Sequence, residues 1–185
     1  LIDAMKGTFK GIDHMQIERF IAAHAIMLSL EGIPAFYIHS ILGTSNDYEL
    51  VKKTKNKRSI NRKSWNYDDI DKLLSDSKSQ NFIIYDNLKK LIEIRKKQSA
   101  FHPNATQFTF NLGPNFFGIW RQSLDKKQSI FCVTNVTNIF QYLDLSELNL
   151  IESNEWWDLI SNEIILDIKT NISLKAYQTM WITNY

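Results

Sequence analysis

Residues 33–39, IPAFYIH, constrain the fold of this chain more than any other stretch. The run is apolar at both odd and even positions until its end, and it is too short for a helix. A strand without alternation is buried on both faces, which is the habit of parallel strands covered by helices. Just upstream, Ile17, Phe20, Ile21, Ala25 and Leu28 recur at helical spacing between His14 and Glu31, and Gly32 stands where a left-handed residue closes a helix. The pattern therefore predicts a helix ending at Gly32 and, directly after it, a doubly buried strand. One such strand cannot satisfy its own backbone, and a right-handed crossover needs a parallel neighbour that nothing before it supplies. The expectation is that its partners lie in sequence upstream, and that the chain is the C-terminal portion of something larger.

Further along, Gly43 to Asp47 reads as a turn that caps a short helix through Leu50 and Val51. Between Leu50 and Tyr67 come seven Lys or Arg and no acid. Asn66 or Asp68 then starts a helix through Leu74. A longer one carries the stripe Phe82, Tyr85, Leu88, Leu91, Ile92 and Ile94, with Arg95, Lys96 and Lys97 near its C-terminal end, where cations suit the helix dipole. After FHPNA the pattern changes to strand-like runs: QFTFNL, FFGIWRQS, SIFCVTNV, FQYLDL, WWDLI, ISL and YQTMWITN. Helices first and antiparallel strands afterwards argue for α/β followed by all-β, in two units joined near residues 99–106.

Composition narrows the function classes. A chain of 185 residues, 44% hydrophobic with a formal net charge of +2, is globular and exerts no global attraction on phosphate polymers or anionic lipid. The single Cys132 forms no intramolecular disulfide, favours a reducing compartment, and sits in a strand-like setting as a core thiol. The longest apolar run, FIAAHAIMLSL, is too short to span a bilayer. His14, His24 and His102 are scattered without metal-ligand spacing. The loop KRSINRKSW, residues 57–65, admits three readings: a solvated basic loop, a nucleic-acid patch with Trp65 as a stacking face, or a ligand site built on an arginine. His39 ends the expected strand, where α/β proteins place ligand-facing groups, although a histidine there also serves as hydrogen-bonded structure. In the pair Trp156 and Trp157, strand alternation turns only one ring inward.

Four stretches together, LEGIPAFYIHSILGTSND, ELVKKTKNKRSINRKSW, AFHPNATQ, and the ending with WWDLI and AYQTMWI, resemble the C-terminal part of the sucrose-phosphorylase subgroup of the α-amylase superfamily. RSINR followed by Lys-Ser-Trp is closest in look to the branch acting on sucrose 6′-phosphate or glucosylglycerate, since sucrose phosphorylases proper carry an acid where this chain has Ser59. The resemblance implies the C-terminal end of a (β/α)8 TIM barrel over residues 1–100, with residues 33–39 as the eighth strand, then a small antiparallel β domain over residues 101–185. It implies that Arg58 pairs with an upstream aspartate and holds hydroxyls of a glucosyl unit, a task suited to a planar, permanently charged fork. Asn61 and Arg62 brace that loop more than they touch sugar, and with His39 they are the weaker substrate-contact candidates.

The nucleophile, the acid/base and a third carboxylate of such enzymes follow upstream strands, so no catalytic residue is expected in this chain, and Glu31, Asp47 and Glu49 match none of the three motifs. No metal and no cofactor are implied beyond inorganic phosphate as co-substrate. The partners are a small sugar substrate and phosphate, with neither nucleic acid nor membrane, and the location is cytoplasmic. Without the upstream barrel sequence the isolated chain is expected to be inactive. A glucosidase or transglucosidase of the same superfamily, or a noncatalytic carbohydrate-binding module, are the alternatives.

Overall fold

The computed structural model describes residues 2–148, 150 and 155–184. A two-residue ladder pairs β1 (Gly7–Thr8) with β2 (Gly11–Ile12), and it is followed by α1 (Gln16–Ser29), the one-turn α2 (Ile38–Ile41), α3 (Tyr48–Thr54), a 3-10 turn at Lys57–Asn61, α4 (Tyr67–Ser75) and α5 (Gln80–Lys96). The remaining strands are β3 (Thr106–Phe110), β4 (Phe116–Gln122), β5 (Ser129–Asn135), β6 (Gln141–Asp144), β7 (Trp156–Asp158), β8 (Glu163–Ile165), β9 (Asn171–Leu174) and β10 (Thr179–Asn184). Of these, β8 lies outside the strand-like runs of the sequence, between WWDLI and ISL. The chain divides into two compact units, one of residues 1–21 and 35–90, the other of residues 22–34 and 91–185.

Two helices of the first unit begin on side-chain caps. Asp47 caps α3 by accepting from Leu50 N at 2.8 Å, and Asn66 caps α4 by accepting from Asp68 N at 2.9 Å. Both caps satisfy amides that a helix N-terminus leaves without intrahelical partners. The core of this unit is small: Ile2, Phe20, Ile84 and Leu88 are fully buried, with Met5, Ile17, Phe36 and Ile41 packed against them. Gly43 turns the chain at φ +58 directly against Ile84, and a Cβ there would meet the Ile84 side chain at 2.7 Å.

The strand expected over residues 33–39 does not form. Residues 33–37 are extended, but no strand pairs with them among the described residues, and Ile38 and His39 belong to α2. Nor is the segment buried on both faces: Phe36 packs inward, while Ile33 is 83% exposed and Tyr37 49% exposed. The physical reason is that an extended backbone becomes a strand only when a neighbour takes its N–H and C=O groups, and its second apolar face is buried only when something covers it.

The second unit is an antiparallel sheet of order β3-β4-β5-β10-β7-β8 beside a β6-β9 pair, and neither sheet closes on itself. Central β5 and β10 register Phe131 opposite Ile182 and Cys132 opposite Trp181. Phe131, Val133 and Ile182 face a core shared with Leu143 of β6 and Leu174 of β9. Trp156 joins that core, while Trp157, one position on, is only half-buried, as alternation requires. On the opposite face Trp181 meets the Phe101 ring edge-on at 4.8 Å, and its indole N–H donates to Ser29 Oγ at 3.0 Å. Here too lies Arg121, fully buried, donating to the carbonyls of Ser29 at 3.1 Å, His102 at 3.0 Å and Ala105 at 3.3 Å. Arg95 donates to Leu28 O at 2.7 Å and Gly32 O at 3.2 Å. Two guanidiniums thus satisfy the carbonyls that end α1 and offset its negative dipole end. Cys132 is buried and unpaired in this setting, and burial pushes its thiol up to about 12, as befits a core thiol.

Candidate functional site

The basic loop and the end of the extended segment meet within the first unit. After α3, Lys55 takes a left-handed φ of 54 that stops the helix, and Asn56 accepts from Arg58 N at 3.0 Å, starting the 3-10 turn. Three bonds fix that turn. Asp47 N donates to Ile60 O at 2.7 Å, the hydroxyls of Thr54 and Ser59 bond at 2.9 Å, and Tyr37 OH donates to Asn61 O at 3.0 Å. Ser59 is buried beneath, so its neighbour Arg58 is turned out to solvent, and the Arg58 guanidinium makes no hydrogen bond or ion pair with a described residue. A rigid backbone therefore presents a permanently charged planar donor with its valences open. This is the arrangement that binding a carboxylate or sugar hydroxyls requires.

His39 is joined to the same cluster. Its Nδ1 lies 3.2 Å from Thr44 Oγ1, and that oxygen also accepts the Trp65 indole N–H at 3.0 Å. Indole nitrogen can only donate, so Thr44 Oγ1 accepts from Trp65, and a Thr44 hydroxyl proton directed at His39 Nδ1 would leave the proton of the neutral imidazole on Nε2. Burial lowers the His39 pKa and favours that neutral form. The Tyr37 ring meets the imidazole edge-on at 5.1 Å. Burial thus favours a neutral His39 ring, and in the tautomer that accepts from Thr44 its Nε2–H is placed to donate.

The structure brings together Tyr37, His39, Thr44, Asn61 and Trp65, with Arg58 on the same turn as Asn61. Asn61 is tied through its carbonyl and Arg62 through its N–H to Ser59 O at 3.1 Å, while both side chains are exposed. Tyr37 and Thr44 are the members that sequence reasoning missed. A tyrosine in an apolar run and a threonine in a turn carry no periodic signal. Trp65 is not an open stacking face: Lys63 Nζ lies 4.0 Å from its ring centre, and Lys52 is engaged by Glu49 at 2.7 Å. Asp47 serves as a helix cap and Glu49 as an ion-pair partner. Among the described residues no group of three or more His, Cys, Asp or Glu is placed to hold a metal ion. No described helix is long and apolar enough to cross a membrane.

Comparison with known proteins places the chain first by fold. It superposes on an Anoxybacillus α-amylase with a TM-score of 0.67 at 17% identity, covering 91% of this chain and 32% of that one. The fold is therefore that of about a third of an α-amylase-type enzyme. Sequence is more specific. The chain is 33% identical over 173 residues to glucosylglycerate phosphorylase of Escherichia coli (strain K12), covering 92% of this chain and 29% of the relative. It is 36% identical over 85 residues to sucrose 6(F)-phosphate phosphorylase of Thermoanaerobacterium thermosaccharolyticum, covering 46% of this chain and 16% of that protein. No protein-family profile matches the chain. The resemblance to the sucrose-phosphorylase subgroup is borne out: along most of its length the chain is a homologue of glucosylglycerate and sucrose phosphorylases. It spans about three tenths of the length of the glucosylglycerate phosphorylase it matches.

Proposed function

We propose that this chain is the C-terminal part of a retaining α-glucoside phosphorylase, which moves a glucosyl unit from sucrose, sucrose 6′-phosphate or glucosylglycerate to inorganic phosphate and releases α-glucose 1-phosphate. In this reading residues 33–37 are the last strand of a (β/α)8 barrel whose other strands are supplied upstream, and the second unit is the accessory β domain. The observation that carries it is the extended, unladdered segment whose last residue, Tyr37, bonds the rigid turn that holds Arg58 open. Ligand groups of such barrels sit just beyond the C-terminal ends of the strands, where Arg58, His39 and Asn61 follow residue 37.

The chemistry divides accordingly. Upstream carboxylates attack the anomeric carbon and protonate the leaving oxygen, about 5–5.5 Å apart as retention demands. Phosphate then displaces the enzyme carboxylate, with no further cofactor. Arg58 holds the glucosyl hydroxyls, and His39 Nε2–H donates to an oxygen of the bound sugar. The exposed lysines of the loop raise the local potential for an anionic acceptor or phosphate. The enzyme works in the cytoplasm.

The experiment is a product assay on the full-length protein with the three donors, with and without phosphate, alongside the 185-residue chain. Phosphate-dependent glucose 1-phosphate from the full-length protein, and none from the chain alone, is expected. Free glucose formed independently of phosphate, saturable sugar binding without turnover, or turnover by the isolated chain would each overturn the reading.

A further inference from the structure

We propose that Asp3 is a positioning residue that sets the turn carrying Arg58. The proposal rests on the reading of Arg58 as a glucosyl-binding group. Asp3 sits on a 3-10 turn, Ile2–Met5, held at both ends: Ile2 is buried in the core, Gln16 Nε2 donates to Ile2 O at 2.9 Å, and Arg19 donates to Met5 O at 2.8 Å. The Asp3 side chain is only 6% exposed, and its two oxygens are divided between two donors. Oδ1 takes the Lys6 ammonium, and Oδ2 takes the backbone N–H of Asn46. The residue after Asn46 is Asp47, whose own N–H bonds Ile60 O at 2.7 Å and whose carboxylate caps α3. One carboxylate far from Arg58 in sequence therefore holds the backbone at Asn46, and from the next residue, Asp47, hangs the turn that holds Arg58.

The chemistry of the pair of donors explains why an acid stands there. A carboxylate accepts on both oxygens, whereas an amide would turn its NH2 toward one of the two donors. Burial by itself would raise the Asp3 pKa, but Lys6 and the Asn46 amide together hold it below the usual carboxylate value, so it stays ionised. Loss of the anchor frees residues 46 and 47 and with them the angle at which Arg58 meets its ligand. Small displacements of a substrate-holding group are expensive in rate, because catalysis depends on near-attack geometry.

The test is a mutant cycle in the full-length protein: Asp3→Ala, Arg58→Ala and the double variant, read as kcat and KM for whichever of the three donors it turns over fastest, with thermal unfolding as the control for folding. Asp3→Ala is expected to lower kcat/KM about tenfold, the scale of one hydrogen bond to an ionised group. The double variant is expected to be no worse than Arg58→Ala alone, because one residue acts through the other. If Asp3→Ala does not fold, Asp3→Asn carries the same cycle: it keeps one acceptor oxygen, so a smaller loss with the same coupling is expected. Losses that multiply, or an Asp3 variant that folds and loses nothing, would overturn the positioning role while leaving Arg58 in place. An inert Arg58→Ala would instead overturn the underlying assignment, and this one with it.

Discussion

Replacing Arg121 with methionine tests whether a buried cation closes the end of α1. The guanidinium is fully buried, makes no ion pair with an acidic side chain among the described residues, and donates to three backbone carbonyls at 3.0–3.3 Å, one of them Ser29 at the last residue of the helix. Methionine matches the stem but donates nothing. Each buried carbonyl left unpaired costs about 1–3 kcal/mol. Against this, the variant no longer buries a charge, which returns several kcal/mol; burial already lowers the Arg121 pKa, the mark of that penalty. The balance is a destabilisation of about 2–4 kcal/mol. Urea unfolding of the 185-residue chain followed by tryptophan fluorescence reads it directly, since Trp181 is fully buried on the same sheet face. With a slope of about 2 kcal/mol per M, the midpoint falls by about 1–2 M. Arg121→Lys keeps the charge, but one ammonium cannot span three carbonyls, so it restores only part of the loss. A midpoint unchanged by Arg121→Met, or wholly restored by lysine, would refute the capping argument.

Two further outcomes are expected. Arg58→Ala leaves the unfolding midpoint within about 0.5 kcal/mol, because the side chain is exposed and unbonded among the described residues, yet it lowers donor kcat/KM about ten- to a hundredfold in the full-length protein. Equal loss of stability and activity, or of neither, would contradict an open substrate-holding arginine. Cys132, with its thiol pushed up to about 12, resists alkylation at pH 8 in the native chain and reacts fully in denaturant. Because the unfolded thiol ionises first, stability falls as pH rises from the ordinary thiol range toward 12. Rapid native labelling would show the thiol to be accessible.

The unladdered segment unites the two halves of the argument. An extended run with no strand partner among the described residues, and with Ile33 and Tyr37 exposed, is a poor end state for a self-sufficient domain. It is a sound one for a part whose neighbours are supplied elsewhere in a longer protein, and this chain matches only 29% of its glucosylglycerate phosphorylase relative.

Periodicity and turn chemistry are local, and what they encode was legible: α1 ending near Gly32, the cap at Asp47, the start at Asn66, and the alternation that buries Trp156 and leaves Trp157 half-exposed. The assignment of Arg58 rests on RSINR, a contiguous motif. The sequence could not show that IPAFYIH would lack a ladder, since hydrogen bonding between strands depends on chain that is distant or absent. Nor could it show that Thr44 ties His39 to Trp65, that Asp3 holds Asn46, or that Arg121 reaches the end of α1. Those contacts join residues far apart in the chain, and only the packed structure brings their atoms within bonding distance. Side-chain order along the sequence decides which elements form; three-dimensional proximity alone decides which of their polar groups find one another.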